Sequence, residues 1–436
     1  MSIRDGQESQ AYYFELYSNL YISIIDLRYT LINYIYLPGP NMDPVRNPFA
    51  PGAGSQPPEL AGRDEIISDA NIALQRVLLG RHDKSQILLG LRGTGKTVLL
   101  NRIEELAESH HHITSYIEAP DNRRLADLLY PKLQQVLRKL SLIETAKAAA
   151  HNATRVLRSF VGAFRVTMGD VSLSVDPVPG TADSGILEYD LGELFISIGR
   201  AAQAGNRAWT LLIDEIQYLK PEELSALIVA IHRVNQKKLP VMFFGAGLPQ
   251  IAALTGEAKS YSERLFNYPP VGPLDISATI AAIRQPVLAE GEAITDEAID
   301  LISKETEGYP FFLQEWGYQS WNVADASPIN AEDVKKASVA AVRRLDEGFF
   351  KVRFERLSPK EREYVLAMAS LGKGPYRSSD VANALGEDLR ALGPRRARII
   401  HKGMIYSAAH GDIDFTVPMF DDFLRRHKGS LGAASC

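Results

Sequence analysis

The sequence predicts an α/β protein in which a parallel β-sheet with crossover helices precedes a smaller C-terminal unit. Three observations support this fold class. From Leu60 onward, short apolar segments alternate with helical ones. A glycine-rich loop joins one apolar segment directly to a helix. Near the C-terminus, a capped helix is followed by two more helices and a hairpin with alternating apolar residues.

The strands of the predicted sheet are short and apolar. We expect them at residues 86–89, 113–118, 209–213, 241–244 and 270–271. Apolar residues spaced by three and four between Leu125 and Leu140 predict a helix with one buried face. Segments 164–166 and 171–175, around Gly169 and Asp170, predict a hairpin inserted at about 163–177.

Composition excludes several classes of protein. With 45% hydrophobic and 23% charged residues, the chain of 436 residues is not collagen-like, coiled-coil or wholly disordered. The single cysteine, Cys436, cannot form an internal disulfide or a zinc cluster, so we expect a cytoplasmic protein. The uncharged run 239–256 is interrupted by proline and glycine, which argues against a membrane-spanning helix.

The N-terminal region 1–41 is atypical, because it holds seven of the 18 tyrosines. Two interpretations remain open: an amphipathic docking segment, or an extension upstream of a start at Met42. The following Pro- and Gly-rich stretch, 42–58, has the composition of a domain leader.

Residues 90–97 match the phosphate-binding P-loop pattern G-x-x-x-x-G-K-[ST] between a strand and a helix. Glycines allow backbone amides to turn toward phosphates, and the helix N-terminus adds partial positive charge. Lys96 is predicted to neutralise the β- and γ-phosphates of ATP, and the Thr97 hydroxyl to bind Mg²⁺. The residues predicted to hold the nucleotide are Gly90, Gly93, Thr94, Gly95, Lys96 and Thr97.

Two carboxylates, Asp214 and Glu215, follow the apolar segment 209–213. A buried strand tolerates them only where it emerges at the carboxyl edge of the sheet, which is also where the P-loop lies. Asp214 is predicted to hold Mg²⁺, and Glu215 to activate the attacking water. The two motifs together predict hydrolysis of ATP to ADP and phosphate.

With these motifs, residues 57–427 resemble the AAA+ and STAND branch of P-loop ATPases, and more narrowly the bacterial and archaeal proteins similar to origin-recognition ATPases. The resemblance implies that Gly62 and Arg63 approach the adenine. It also implies that Arg264 is an arginine finger acting on a neighbouring subunit in a nucleotide-dependent homo-oligomer, and that Pro310 places a lid turn against the nucleotide.

The chain departs from that family at two positions. No polar sensor follows the strand 241–244, and Pro310 stands where many relatives have a second sensing arginine. Both departures favour a slow nucleotide-dependent switch over a continuous motor. Residues 110–112 are three consecutive histidines without acidic or thiol partners, so we expect a solvated loop and no metal site there.

The C-terminal segment is basic, because residues 351–436 hold 15 Lys and Arg against 10 Asp and Glu in a chain of net charge −5. Ser358 starts a helix, a second is expected at 379–385 and a third from Pro394, and a hairpin follows around Gly411. This order resembles a winged helix-turn-helix. The predicted contacts to duplex DNA are Arg395, Arg396, Arg398 and Lys402.

The predicted organisation is therefore a P-loop ATPase core at 59–274, an α-helical lid at 275–345 and a winged-helix domain at 351–428. The predicted function is a slow ATP- and Mg²⁺-dependent switch associated with DNA. The alternative is a signalling or scaffold module with little or no hydrolysis, whose winged helix binds a protein.

Overall fold

The computed structural model describes residues 42–52, 57, 59–81, 83–120, 122–168, 171–172, 180–409 and 411–428. The tyrosine-rich region 1–41 lies outside these residues. Within them, no helix is long and apolar enough to cross a membrane.

Five parallel strands form the central sheet, in the order β2-β5-β6-β1-β7. A separate pair of two-residue strands, β3 and β4, is antiparallel. The strands are β1 Ser85–Leu89, β2 His112–Glu118, β3 Thr167–Met168, β4 Val171–Ser172, β5 Ala208–Asp214, β6 Val241–Gly247 and β7 Phe266–Asn267. Because β1 lies between β6 and β7, the loop that follows it emerges near the middle of the sheet's carboxyl edge.

Helices cover both faces of the sheet. They are α1 Asp64–Leu78, α2 Lys96–Ser109, α3 Leu125–Ser141, α4 Lys147–Phe164, α5 Leu187–Ala204, α6 Pro221–Gln236, α7 Ile251–Ala258 and α8 Ser262–Leu265. Successive strand residues point to opposite faces. Leu211 therefore joins the core under α3 to α6, whereas Leu212 joins the core under α1 and α2.

Three sequence predictions need correction here. Residues 270–271 do not form a strand, since only an isolated bridge joins Pro270 to Leu89, and the edge strand is β7. Phe164 ends α4, and the hairpin strand begins at Thr167. His112 is buried at the start of β2, where its ring nitrogens contact the Thr210 hydroxyl and the Leu74 carbonyl. Only part of the histidine run is therefore loop.

Four helices form the lid: α9 Ile276–Ala289, α10 Asp296–Thr306, α11 Pro310–Val323 and α12 Ala331–Leu345. The Pro- and Gly-rich leader docks on α11, which its composition did not predict. Phe49 is buried, and its ring occupies the space where a Cβ on Gly317 would lie. Asn47 donates from its side-chain amide to the Tyr318 carbonyl at 3.0 Å. Residues 47–50 thus belong to the folded unit.

After α12, a π-helical turn over Asp346–Phe350 leads into the C-terminal unit. Its elements are α13 Lys351–Glu355, α14 Pro359–Ser370, β8 Tyr376–Arg377, α15 Ser378–Leu385, α16 Leu389–His401, β9 Ile405–Ala409, β10 Asp412–Phe415 and α17 Phe420–Arg426. The three strands form an antiparallel sheet in the order β8-β10-β9. One continuous apolar core joins this unit to the lid helices.

The ends of the C-terminal helices test the sequence predictions closely. The predicted cap at Ser358 is present, with a reciprocal bond from Glu361. By contrast, α16 begins at Leu389 and not at Pro394. The Asp388 side chain accepts from the amides of Arg390 and Ala391 and so caps the earlier start.

Candidate functional site

A cavity of about 260 Å³ lies at the carboxyl edge of the sheet, between the P-loop, the lid and α13. The predicted site residues that line it are Arg63, Gly93, Thr94, Gly95, Lys96, Thr97, Glu215 and Pro310. Gly62, Gly90, Asp214 and Arg264 are not in its lining. The leader contributes Ala50, Pro51 and Gly52, so the docked N-terminal segment closes one side.

The P-loop has the backbone geometry that its glycines predict. Gly93 and Gly95 have φ of +84° and +93°, a region that side chains disfavour. A Cβ on Gly90 would lie 2.1 Å from the Val271 carbonyl oxygen, so only glycine fits there. α2 then begins at Lys96, which directs its unpaired N-terminal amides toward the cavity.

Lys96 is buried, and its ammonium donates to the carbonyls of Gly90 and Leu91 at 2.9 and 2.8 Å. Burial lowers the pKa of this ammonium to about 8, against the opposing effect of Glu215 and Asp214. The charge thus lies at the floor of the cavity, where an anionic ligand would stabilise it.

The Thr97 hydroxyl donates to Asp214 Oδ2 at 2.6 Å, although the residues are 117 positions apart. Burial raises the pKa of Asp214, and the hydrogen bond from Thr97 opposes this rise. Neighbouring oxygen ligands of an octahedral Mg²⁺ lie about 2.9 Å apart. The two oxygens therefore fit adjacent ligand positions. Because the described residues contain no group of three or more His, Cys, Asp or Glu suited to a metal, water and phosphate would supply the other ligands.

Glu215 follows Asp214 with a left-handed backbone, φ +55°, which turns its carboxylate into the cavity. The Gln217 amide donates to Glu215 Oε2, and Arg92 lies 3.9 Å from Oε1. Gln217 Oε1 accepts from the Leu248 amide at 3.2 Å. The Gln217 side chain thus ties the catalytic-type carboxylate to the end of β6.

This arrangement places a polar group where the sequence lacks one. A Cβ on Gly247 would lie 2.9 Å from Gln217 Oε1. The missing side chain at the end of β6 therefore leaves room for the Gln217 amide. Sequence reasoning missed Gln217, and the only available signal was its position two residues after Glu215.

The predicted lid turn contacts the P-loop directly. Pro310 starts α11 and lines the cavity. The Phe311 amide donates to the Gly93 carbonyl at 3.2 Å, and the Tyr309 hydroxyl donates to the Arg92 carbonyl. Movement of the lid would therefore be felt by the loop.

Gly62 and Arg63 have different positions. A Cβ on Gly62 would lie 2.7 Å from Ala278 Cβ, so this glycine allows α9 to pack closely. Arg63 lines the cavity and donates to the Gly272 carbonyl and, at 3.4 Å, to the Thr94 carbonyl. Burial lowers the Arg63 pKa, with Asp275 opposing.

Arg264 is exposed on α8, just before β7. Phe266 pairs with Ser85 at the start of β1, so the five residues of β1 separate Arg264 from its own P-loop by roughly 16 Å. Arg264 cannot reach the phosphates of a nucleotide in its own cavity.

The C-terminal unit also contacts the P-loop. The Arg92 amide donates to the Thr416 carbonyl at 3.1 Å, and the Arg92 guanidinium donates to the Tyr218 hydroxyl at 2.5 Å. The same guanidinium occupies the space where a Cβ on Gly403 would lie. The loop is therefore held between the ATPase core and the C-terminal unit.

Three of the four predicted DNA contacts are engaged within the protein, which corrects that prediction. Arg395 forms two hydrogen bonds of 3.0 Å with Glu387. Lys402 and Arg398 lie 2.6 and 3.4 Å from the buried Glu361 carboxylate. Burial opposes the ionisation of Glu361, but bonds from Lys402 and Ser358 outweigh it and lower its pKa.

Comparison with known proteins agrees with the core of this site. The profile of the AAA ATPase domain family matches residues 59–244. These residues form an AAA ATPase-like domain. Residues 347–424 match a second profile, a domain of unknown function, DUF8462. No curated protein sequence matches the chain.

Solved structures share the overall fold at 15% identity. A Walker-type ATPase of Pyrococcus abyssi superposes with a TM-score of 0.51, covering 84% of this chain and 96% of that one. The Aeropyrum pernix Orc1 protein in complex with DNA gives 0.45, with 90% and 98% covered. Cdc6p from Pyrobaculum aerophilum gives 0.43, with 88% and 98% covered.

Proposed function

We propose that the cavity binds ATP with Mg²⁺ and that the chain is a slow nucleotide-dependent switch. The observation that carries this proposal is the 2.6 Å contact between the Thr97 hydroxyl and the Asp214 carboxylate, beside the glycine-rich loop and the buried Lys96 ammonium. In this role the loop amides and Lys96 bind the phosphates, and Thr97 and Asp214 hold the metal, which would neutralise phosphate charge.

Glu215 is the proposed general base for hydrolysis. Its carboxylate lines the cavity, and Gln217 and Arg92 hold it. Because both partners stabilise the ionised carboxylate, the attacking water must replace one of these contacts. That requirement supports slow turnover. Arg264 would complete the site of a neighbouring subunit in an oligomer.

A switch also needs a part that responds to the nucleotide. The proposed units are the ATPase core at 59–274, the lid at 275–345 and the C-terminal domain at 351–428. The bond from the Arg92 amide to the Thr416 carbonyl, and that from the Phe311 amide to the Gly93 carbonyl, supply the route between them. Phosphates that reorient the loop would change both bonds.

Replacing Glu215 tests the enzymatic part of this proposal. Glu215→Gln should keep ATP affinity within about threefold while the rate of phosphate release falls by about 100-fold or more, since general base catalysis contributes that much. Glu222→Gln, a change at a carboxylate on α6 outside the cavity lining, is the matched control. Equal rates for Glu215→Gln and the wild type would remove Glu215 from the mechanism. ATP binding without turnover in the wild type would favour the signalling or scaffold alternative.

A second candidate function is DNA binding by the C-terminal unit, as a winged helix. The observation that favours it is a groove lined by Arg377, Arg390 and Arg396 between α15, α16 and the β9–β10 hairpin. Among the described residues, none of the three forms an ion pair with a carboxylate, although Asp412 also lines the groove. Arg396 donates to the Ser378 hydroxyl at 2.9 Å. These arginines replace the paired residues as the proposed phosphate contacts.

Salt dependence tests this candidate in the full chain. Three phosphate contacts predict a slope of log affinity against log salt of about −2.7, and Arg390→Gln should flatten it by about 0.9. Lys373→Gln, at an exposed lysine outside the groove, should leave the slope unchanged. Absence of duplex binding by fluorescence anisotropy at about 50 mM salt would remove the DNA role and favour a protein partner.

A further inference from the structure

Arg353 brings a positive charge into the cavity from outside the ATPase domain. It lies on α13, within the segment 347–424, and lines the cavity together with Glu215 and the P-loop. The profile of the ATPase domain ends at residue 244, more than a hundred positions earlier. No sequence motif marks this arginine.

The guanidinium of Arg353 has no ionic partner among the described residues. It lies 4.5 Å from the centre of the Phe349 ring and forms no ion pair or hydrogen bond with a described residue. Burial lowers the Arg353 pKa to about 10, and the positive charges of Arg92 and Arg356 lower it further. Other arginines of the same unit are paired: Arg395 with Glu387, and Arg426 with Asp346. A partly buried, unpaired guanidinium beside two others is costly, and an anionic ligand would offset that cost.

The surroundings of Arg353 indicate which part of an anionic ligand it would meet. The groups that act on its charge are Arg92, Tyr218 and Glu215, which lie at the start of the P-loop and at the end of β5. Glu215 is the proposed base for attack on the γ-phosphate. Arg353 therefore faces the end of the cavity where the last phosphate of a triphosphate would lie.

We propose that Arg353 binds the γ-phosphate of ATP, so that a residue of the C-terminal segment makes the site discriminate ATP from ADP. This inference rests on the proposed function of the cavity. Because α13 continues into α14, loss of the γ-phosphate would release the only described contact that this helix makes with the nucleotide through a charged side chain that lines the cavity.

Binding of the β,γ-imido analogue of ATP and of ADP, measured by calorimetry with Mg²⁺, tests this proposal. A charged hydrogen bond predicts that Arg353→Met raises the Kd of the ATP analogue by about 10- to 100-fold, while the Kd of ADP stays within about twofold. Arg353→Lys keeps the charge without the forked donors, and should raise the Kd of the analogue by about three- to tenfold. The control is Lys351→Met, an exposed lysine on the same helix, which should change neither.

The outcomes separate this inference from the function on which it rests. Unchanged affinity for the analogue in Arg353→Met overturns the γ-phosphate contact, and so does an equal loss for both nucleotides. If Arg353→Met melts at a lower temperature than the wild type, the analogue-to-ADP ratio of Arg353→Lys decides in the same way. A wild-type protein that binds neither nucleotide overturns the proposed function itself.

Discussion

The buried Lys96 ammonium makes ATP affinity depend on pH. In the free protein, burial lowers its pKa from 10.5 to about 8. Bound phosphates would raise that pKa again, because they stabilise the charged form. The bound state thus holds a proton that the free state loses above about pH 8. Affinity should be fully present below that pH and fall as the pH rises through it.

The size of the effect follows from the titration of one group. At about pH 9, roughly one tenth of the free protein carries charged Lys96, so the apparent Kd should rise about tenfold per pH unit above 8. Calorimetric titration with ATP and Mg²⁺ at about pH 7.5, 8.5 and 9.5 measures this rise. Lys96→Arg stays charged throughout and should show a nearly constant Kd. A wild-type Kd that does not change across this range would refute the reasoning.

Three further predictions concern other parts of the chain. Mixing Arg264→Ala with Lys96→Ala should restore part of the ATPase activity through a mixed interface, and an active enzyme that stays monomeric in light scattering would contradict this. Because the folded-state pKa of His112 is about 4 and the free value 6.5, the unfolded chain takes up a proton first as the pH falls, so the free energy of unfolding should drop by roughly 3 kcal/mol between about pH 7 and 4. In denaturant titrations His112→Gln should reduce that drop, and an unchanged drop would assign it to other groups. Gly247→Ala should displace the Gln217 amide and lower turnover by about tenfold with ATP affinity retained; unchanged turnover would show that the amide does not hold Glu215.

The parts of the site that are local in sequence were predictable. The P-loop needs glycines at fixed spacing between a strand and a helix, and this pattern is visible without any long-range contact. Asp214 could be placed because carboxylates at the end of an apolar strand must emerge at the sheet edge, and parallel strands bring that edge to the P-loop. The Thr97 to Asp214 contact follows from these two facts.

The remaining features depend on contacts between distant segments. The docking of Phe49 on Gly317, 268 positions apart, leaves no local pattern, and the Pro- and Gly-rich composition indicated a leader instead. Charge counting could not show that Glu361 already occupies Lys402 and Arg398, because the three residues meet only through the packing of α14 against α16. Arg353 is equally silent in the sequence, since its place in the cavity depends on how the lid and the C-terminal unit share one core.

The central claim is that Lys96 and the P-loop bind the phosphates of ATP. Calorimetric titration of the wild type, Lys96→Ala and Lys84→Ala with ATP and Mg²⁺ at about pH 7.5 tests it, with thermal unfolding of each protein as a check on folding. Lys84 is an exposed lysine whose ammonium donates to the Glu263 carbonyl at 3.2 Å, outside the cavity lining. We predict saturable binding by the wild type and Lys84→Ala, and a loss of about 100-fold or more in Lys96→Ala. Equal affinity of a folded Lys96→Ala protein and the wild type would contradict the claim.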